Sequence, residues 1–102
     1  MNRQELVPKL VGTTRSYKFD FTSDLAVGET ISGQTVAAIV YSGTDASPSV
    51  IVNGAATASG SIVTQSVRAG VVGVLYELLC TITTSASQTL LKSGYLAIVP
   101  DM

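Results

Sequence analysis

Asp20, Asp24 and Glu29 fall within one ten-residue stretch around a predicted turn, and loop carboxylates are the ligands a Ca²⁺ ion takes. Their spacing is not that of a Ca²⁺ loop, because no D-x-D-x-D run occurs and Asp45 and Asp101 lie far off in the chain. They read as solvated turn residues. A carboxylate-pair hydrolase needs two acids flanking one cleft, and no two acids are marked as such a pair. Cys80 sits in an apolar strand pattern at the parity of Tyr76, Leu78 and Ile82, whereas a reactive thiol needs exposure and an electropositive neighbour. It reads as a small core residue. Tyr17, Tyr41, Tyr76 and Tyr95 could line a sugar-binding surface, but they are dispersed over four predicted strands, which favours packing in the core or at an interface. Gly70-Val71-Val72-Gly73 has neither the Lys nor the following helix of a phosphate loop. Histidine and tryptophan are absent and there is one cysteine. That removes His-based acid–base chemistry, Ser-His and Cys-His nucleophiles, and clustered zinc sites. The expectation is a chain with no catalytic, metal or cofactor-binding residue and no cofactor: not an enzyme.

The elements that carry these residues are strands. The chain has 102 residues, a net charge of −1 and charged residues at 13% of positions, about half the share of an average globular protein. Apolar residues make up 46%, the opposite of the balance that keeps a chain disordered. Ser and Thr account for 24 residues and Gly for nine, and no window combines helix formers at a 3.6-residue period. Tyr17, Phe19 and Phe21 alternate with Lys18, Asp20 and Thr22, which puts three aromatics on one face of a first strand. A second strand is expected from about Thr30 to Tyr41, bent at Gly33, with short strands at Val50–Val52 and Ile62–Val67. Asn53-Gly54 suits a type I′ turn. A long strand from Val74 to Ile82 presents apolar residues on both faces. A last one runs from about Thr89 to Val99, with Gly94 marking a bulge or a close backbone approach.

About seven short antiparallel strands with turn signals every roughly 8–12 residues predict one all-β immunoglobulin-like sandwich. A small jelly roll is the alternative architecture. Residues 1–13 hold Pro8 and Gly12 and show no clean alternation, so the predicted organisation is an N-terminal arm (1–13) and a sandwich domain (14–102). Arg3, Lys9, Arg15, Lys18, Arg68 and Lys92 are scattered, which argues against nucleic acid as a partner. The longest apolar run, Val36 to Tyr41, is far short of the roughly 20 residues that span a bilayer. No membrane partner is expected, and synthesis is expected in the cytoplasm.

A surface this poor in Lys and Glu has the composition of protein–protein contacts. Val50–Val52 and Ser61–Thr64 carry no charge or proline to guard an exposed sheet edge, a hazard for a free monomer and none for a subunit in an assembly. Against that background, two segments are informative. Tyr17-Lys18-Phe19-Asp20-Phe21 followed by Leu25-Ala26-Val27-Gly28-Glu29-Thr30-Ile31, and Tyr76-Glu77-Leu78-Leu79-Cys80-Thr81-Ile82-Thr83-Thr84-Ser85, resemble the small fibre–tail adaptor proteins of tailed bacteriophages. In that family an aromatic-x-aromatic-Asp-aromatic strand precedes a Leu-x-x-Gly-Glu-Thr-Ile turn, and a Tyr-x-(apolar)-x-Cys-x-(apolar)-Thr-Thr-Ser strand precedes the last hairpin. The matching pieces cover about a third of the chain. Phe21 and Leu25 stand where members often carry Trp.

The resemblance implies a virion structural protein that joins or decorates other virion proteins, as a fibre or tail adaptor or a head decoration protein. Its partners would be tail, fibre, portal-proximal or capsid proteins, its location the virion, and its state a homo-oligomer. The arm would add a strand to a neighbouring subunit. The alternative is a stand-alone adhesin or ligand-binding module, holding its ligand with loop-end residues such as Tyr41, Asp45 and Asn53.

Overall fold

The computed structural model describes residues 3–100, with side chains from Leu6 onwards; the first two arm residues and Asp101 lie outside the described residues. Among the described residues the chain forms eight strands: β1 (Arg3–Glu5), β2 (Lys9–Leu10), β3 (Arg15–Asp20), β4 (Ile31–Ser42), β5 (Thr57–Ser59), β6 (Ile62–Val67), β7 (Leu75–Thr84) and β8 (Thr89–Val99). Two 3-10 helical turns, Thr22–Asp24 and Pro48–Ile51, interrupt the connections. One sheet has the order β1-β8-β7-β4, with β2 also on β8, and the other has the order β3-β6-β5. They pack face to face as an all-β sandwich, an arrangement consistent with immunoglobulin-type and jelly-roll architectures.

Period-two patterning explains which faces meet. In β3 Tyr17 and Phe19 are buried while Lys18 and Asp20 are exposed, and in β6 Val63, Gln65 and Val67 point inward. From the opposite sheet come Tyr76, Leu78, Cys80 and Ile82 of β7 and Leu96 and Ile98 of β8. Phe19 and Phe21 are fully buried among them. The antiparallel ladders β4–β7 and β7–β8 are long, so the sandwich is a rod of 45 × 20 × 20 Å with extended side faces.

Three local expectations are corrected. Val50–Val52 is not a strand: Pro48 opens a 3-10 turn that drops Ile51 into the core, and only Val52 bridges Val67. Proline presets φ for a first helical position and removes the N–H a ladder would need. Asn53-Gly54 is not a type I′ turn, since Gly54 has φ +79° but Asn53 is not in the left-handed region. Asn53 is held instead by its N–H on the Ser66 carbonyl and its amide on Ser66 Oγ. Ser61–Thr64 is no edge, because β6 runs between β3 and β5.

Residues 3–10 run parallel to β8 of the same chain, with Arg3↔Ser93 and Glu5↔Tyr95, then Lys9↔Ile98 and Leu10↔Val99. Three residues (6–8) thus stand against two (96–97), so the segment bulges at Pro8. Leu6 seats over Gly94, where a Cβ would come within 2.9 Å of its Cγ. That is the close approach expected at Gly94. The Tyr17 hydroxyl donates to the Val7 carbonyl at 2.7 Å, and the buried Lys9 ammonium donates to the Leu10 carbonyl at 2.7 Å and to Thr13.

Candidate interaction surface

The carboxylates singled out by the sequence act on the chain's own turns. Asp20 accepts the Thr22 hydroxyl and backbone N–H, which start the first 3-10 turn and hold its carboxyl below the usual range. Asp24 pairs with Lys92 at 2.9 Å, and the same ammonium lies 5.5 Å from the Phe21 ring centroid. Glu29 accepts the Thr84 hydroxyl and the Ala26 N–H, clamping the turn before β4 to the end of β7; those bonds lower its pKa. Asp45 accepts the buried Tyr76 hydroxyl at 2.7 Å and the Ser47 N–H, which likewise lower its pKa. Burial, reinforced by the Asp45 bond, pushes the Tyr76 phenol up to about 12. Among the described residues no three acids or cysteines come together as a metal-holding group. Asp45 and Asn53, proposed ligand holders in the adhesin reading, spend their side chains on Tyr76 and Ser66.

Cys80 is fully buried, and burial pushes its thiol up to about 12. Tyr17 and Tyr76 belong to the core. The other two tyrosines are brought together: Tyr41 and Tyr95 lie with ring centroids 4.6 Å apart at 47°. Antiparallel register makes this contact. Ile39 pairs with Glu77 and Glu77 with Tyr95, so β7 passes between the strands that carry the two rings. Sequence reasoning had dispersed these residues, and no local signal links them.

The pair sits on the outer face of the β8-β7-β4 sheet. Since Tyr76, Leu78, Cys80 and Ile82 face the core, the opposite parity of β7 and its register partners face out: Leu75, Glu77, Leu79, Thr81 and Thr83 of β7, Gly33, Thr35, Ala37 and Ile39 of β4, and Thr89, Leu91, Ser93, Tyr95 and Ala97 of β8. Tyr41 is 56% exposed, Leu91 44% and Ile39 42%. Glu77, the charged residue of this set, is 8% exposed and so contributes little surface. An outer sheet face normally alternates to polar residues; this one gathers Ile39, Tyr41, Leu75, Tyr95 and Ala97 towards one end, with Thr35, Thr81, Thr83 and Thr89 towards the other. The clefts found elsewhere are shallow. One of about 220 Å³ lies between Asp45, Ser47, Val50 and the Ala69–Val71 turn, where Gly70 (φ +104°) is required because a Cβ would meet Ile98 at 2.7 Å.

No curated protein matches the chain, and no solved structure does. Among the described residues no helix is long and apolar enough to cross a membrane. A family model does match: residues 9–96 fit the one described as podophage GP4 fiber-tail adaptor protein gp77. The match runs from β2 through all but the last turn of β8, and so takes in both sheets and the apolar outer face. A β-sandwich whose acids close its own turns belongs, on this match, to the phage fibre–tail adaptor family.

Proposed function

We propose that this protein is a non-enzymatic virion component that links tail and fibre proteins through the outer face of its β8-β7-β4 sheet. The observation that carries this reading is the set of exposed apolar side chains on that face, Ile39 with the Tyr41–Tyr95 pair and Leu91 further along β8, in a chain with few charges. Repeated copies in the virion would multiply a modest contact into a firm junction. Residues 1–13 are kept as a distinct unit in this reading, although residues 3–10 add their strands to β8 of the same chain rather than to a neighbouring subunit. Deleting them is expected to leave the sandwich folded and to weaken assembly; global unfolding of the truncated chain in a thermal melt would rule that out.

The test is genetic and structural together. Ile39→Lys and Leu91→Lys place charges on the outer face without touching the core. Virions carrying either variant are expected to lose fibres on gels of purified particles while the isolated variant keeps its native circular dichroism. Fully fibred virions from both variants would overturn the reading. The Tyr41–Tyr95 pair also suits the alternative, a ligand-binding module that stacks a sugar on aromatic rings. Saturable glycan binding by the isolated chain, lost in Tyr95→Ala, would favour it over the adaptor role.

A further inference from the structure

A sheet edge presents unpaired N–H and C=O groups, and stable monomers blunt such edges with charge, proline, brevity or cover. The edges of this sandwich follow that rule with one exception. The edge of β8 is covered by β1 and β2. β5 is three residues long, and the free side of β3 carries Arg15, Lys18 and Asp20. β4 is different: it is twelve residues long, pairs with β7 alone, and Ile31–Ser42 contains no charged residue and no proline. Register shifts fall only at its ends, between Ile31 and Gly33 and between Val40 and Ser42, so Gly33–Val40 is a regular ladder. The Pro48–Ile51 turn and β5 pack near this strand but form no ladder with it. A groove of about 170 Å³ lined by Gln34, Val36, Val52 and Ala56 lies beside the strand, crossed by the Gln34 amide on the Ala56 carbonyl.

We propose that this edge pairs with the same edge of a second copy, antiparallel about a two-fold axis at Ala37, to give a continuous sheet through both molecules. Charge argues for the copy as occupant, because an uncharged strand opposes itself without repulsion, whereas the β3 edge would set like charges together. The register is self-complementary. With the axis at Ala37, Val36 falls opposite Ala38, Thr35 opposite Ile39 and Gln34 opposite Val40, so every pair lies within the regular part of the strand. Alternate residues of the ladder supply N–H and C=O groups to the partner. The inference rests on the edge's own chemistry and needs no tail or fibre protein.

A ladder of seven residues is about 24 Å long, and removing a strip about 12 Å wide from each copy buries on the order of 500–600 Å² in all. That is below the standard interface of roughly 1,600 Å², so the dimer is a weak one that fills only at high concentration. The experiment is sedimentation of the full chain from about 10 μM to 1 mM. A reversible dimer is expected to appear over that range, and Ala37→Lys, which sets two ammonium groups on the axis, is expected to weaken it at least about tenfold. Ala37 is exposed, so this variant should keep the wild-type melting temperature when dilute.

A second variant reports geometry. Residues facing each other on the axis lie about 4.5–5.5 Å apart, within disulfide range, so Ala37→Cys should cross-link under mild oxidation. Ala86→Cys, exposed in the β7–β8 turn, is the control, and the buried Cys80 stays out of the reaction. A monomer at 1 mM, a dimer that persists in Ala37→Lys, or cross-linking no faster at residue 37 than at residue 86 would each overturn the proposal. None of these results bears on whether virions retain their fibres, so the two readings fail separately.

Discussion

Replacing Gly94 by alanine is expected to loosen the N-terminal segment, and the sign of its effect depends on Leu6. A Cβ at residue 94 would stand 2.9–3.1 Å from Cγ, Cδ1 and Cδ2 of Leu6. Carbon atoms rest at about 3.5–4.0 Å, so Leu6 must recede by about 0.5–1 Å. A fully buried leucine contributes about 1.5–3 kcal/mol, and the half-buried Leu6 about half of that, roughly 0.8–1.5 kcal/mol. Against this loss, Gly→Ala in extended backbone stiffens the unfolded chain and stabilises by about 0.4–1 kcal/mol. The net cost lies between zero and about 1 kcal/mol, a fall of up to roughly 8 °C in Tm for a domain of this size. In a Leu6→Ala background these three close contacts are gone, so the same substitution should raise the Tm. Thermal melts of the four proteins in this cycle measure the coupling, expected at about 1 kcal/mol. Hydrogen exchange should localise it: the Leu6 and Val11 amides, which donate to the Tyr95 and Val99 carbonyls at 2.9 Å, exchange faster in Gly94→Ala, while β7 amides do not. An equal effect in both backgrounds would refute the seating of Leu6 over Gly94.

Phe19→Ala removes a fully buried ring between the sheets and should cost about 3–5 kcal/mol, read from denaturant unfolding. Asp20, Glu29 and Asp45 have folded pKa values below their unfolded ones, so their contribution is present above the unfolded carboxyl range and lost as pH falls through the folded values. The melting temperature is therefore expected to be level from about pH 5 to 7 and to drop below about pH 4, and an unchanged value at pH 3 would contradict the turn-clamping role of these acids. Cys80, with its thiol pushed up to about 12, holds on the order of a thousandfold less thiolate at pH 8 than a free cysteine. Alkylation should track unfolding, and rapid labelling of the native chain would show that the β7 interior is open.

Particular elements show where the line of sequence reading ended. The Tyr17-x-Phe19-x-Phe21 alternation and the run from Thr89 to Val99 found their strands because a buried face writes itself as a period of two. Gly94 was legible as a close approach, but Leu6 as the approaching group was not. Val50–Val52 has strand composition and became a 3-10 turn because Pro48 outweighed it. The unguarded edge was legible in the twelve uncharged residues of β4, yet the suspicion fell on Ser61–Thr64, which the pairing with β3 and β5 places inside a sheet.

Composition and periodicity alone thus determined an all-β chain without histidine, with its aromatic core strand and its terminal hairpin in place. Those properties are local, since each follows from residue types a few positions apart. Tertiary structure decided which strands lie at edges, which acids close which turns, and that Tyr41 and Tyr95 meet across β7 although 54 positions separate them. Such contacts depend on register between distant strands, and register is set by the whole buried face at once rather than by any segment of it.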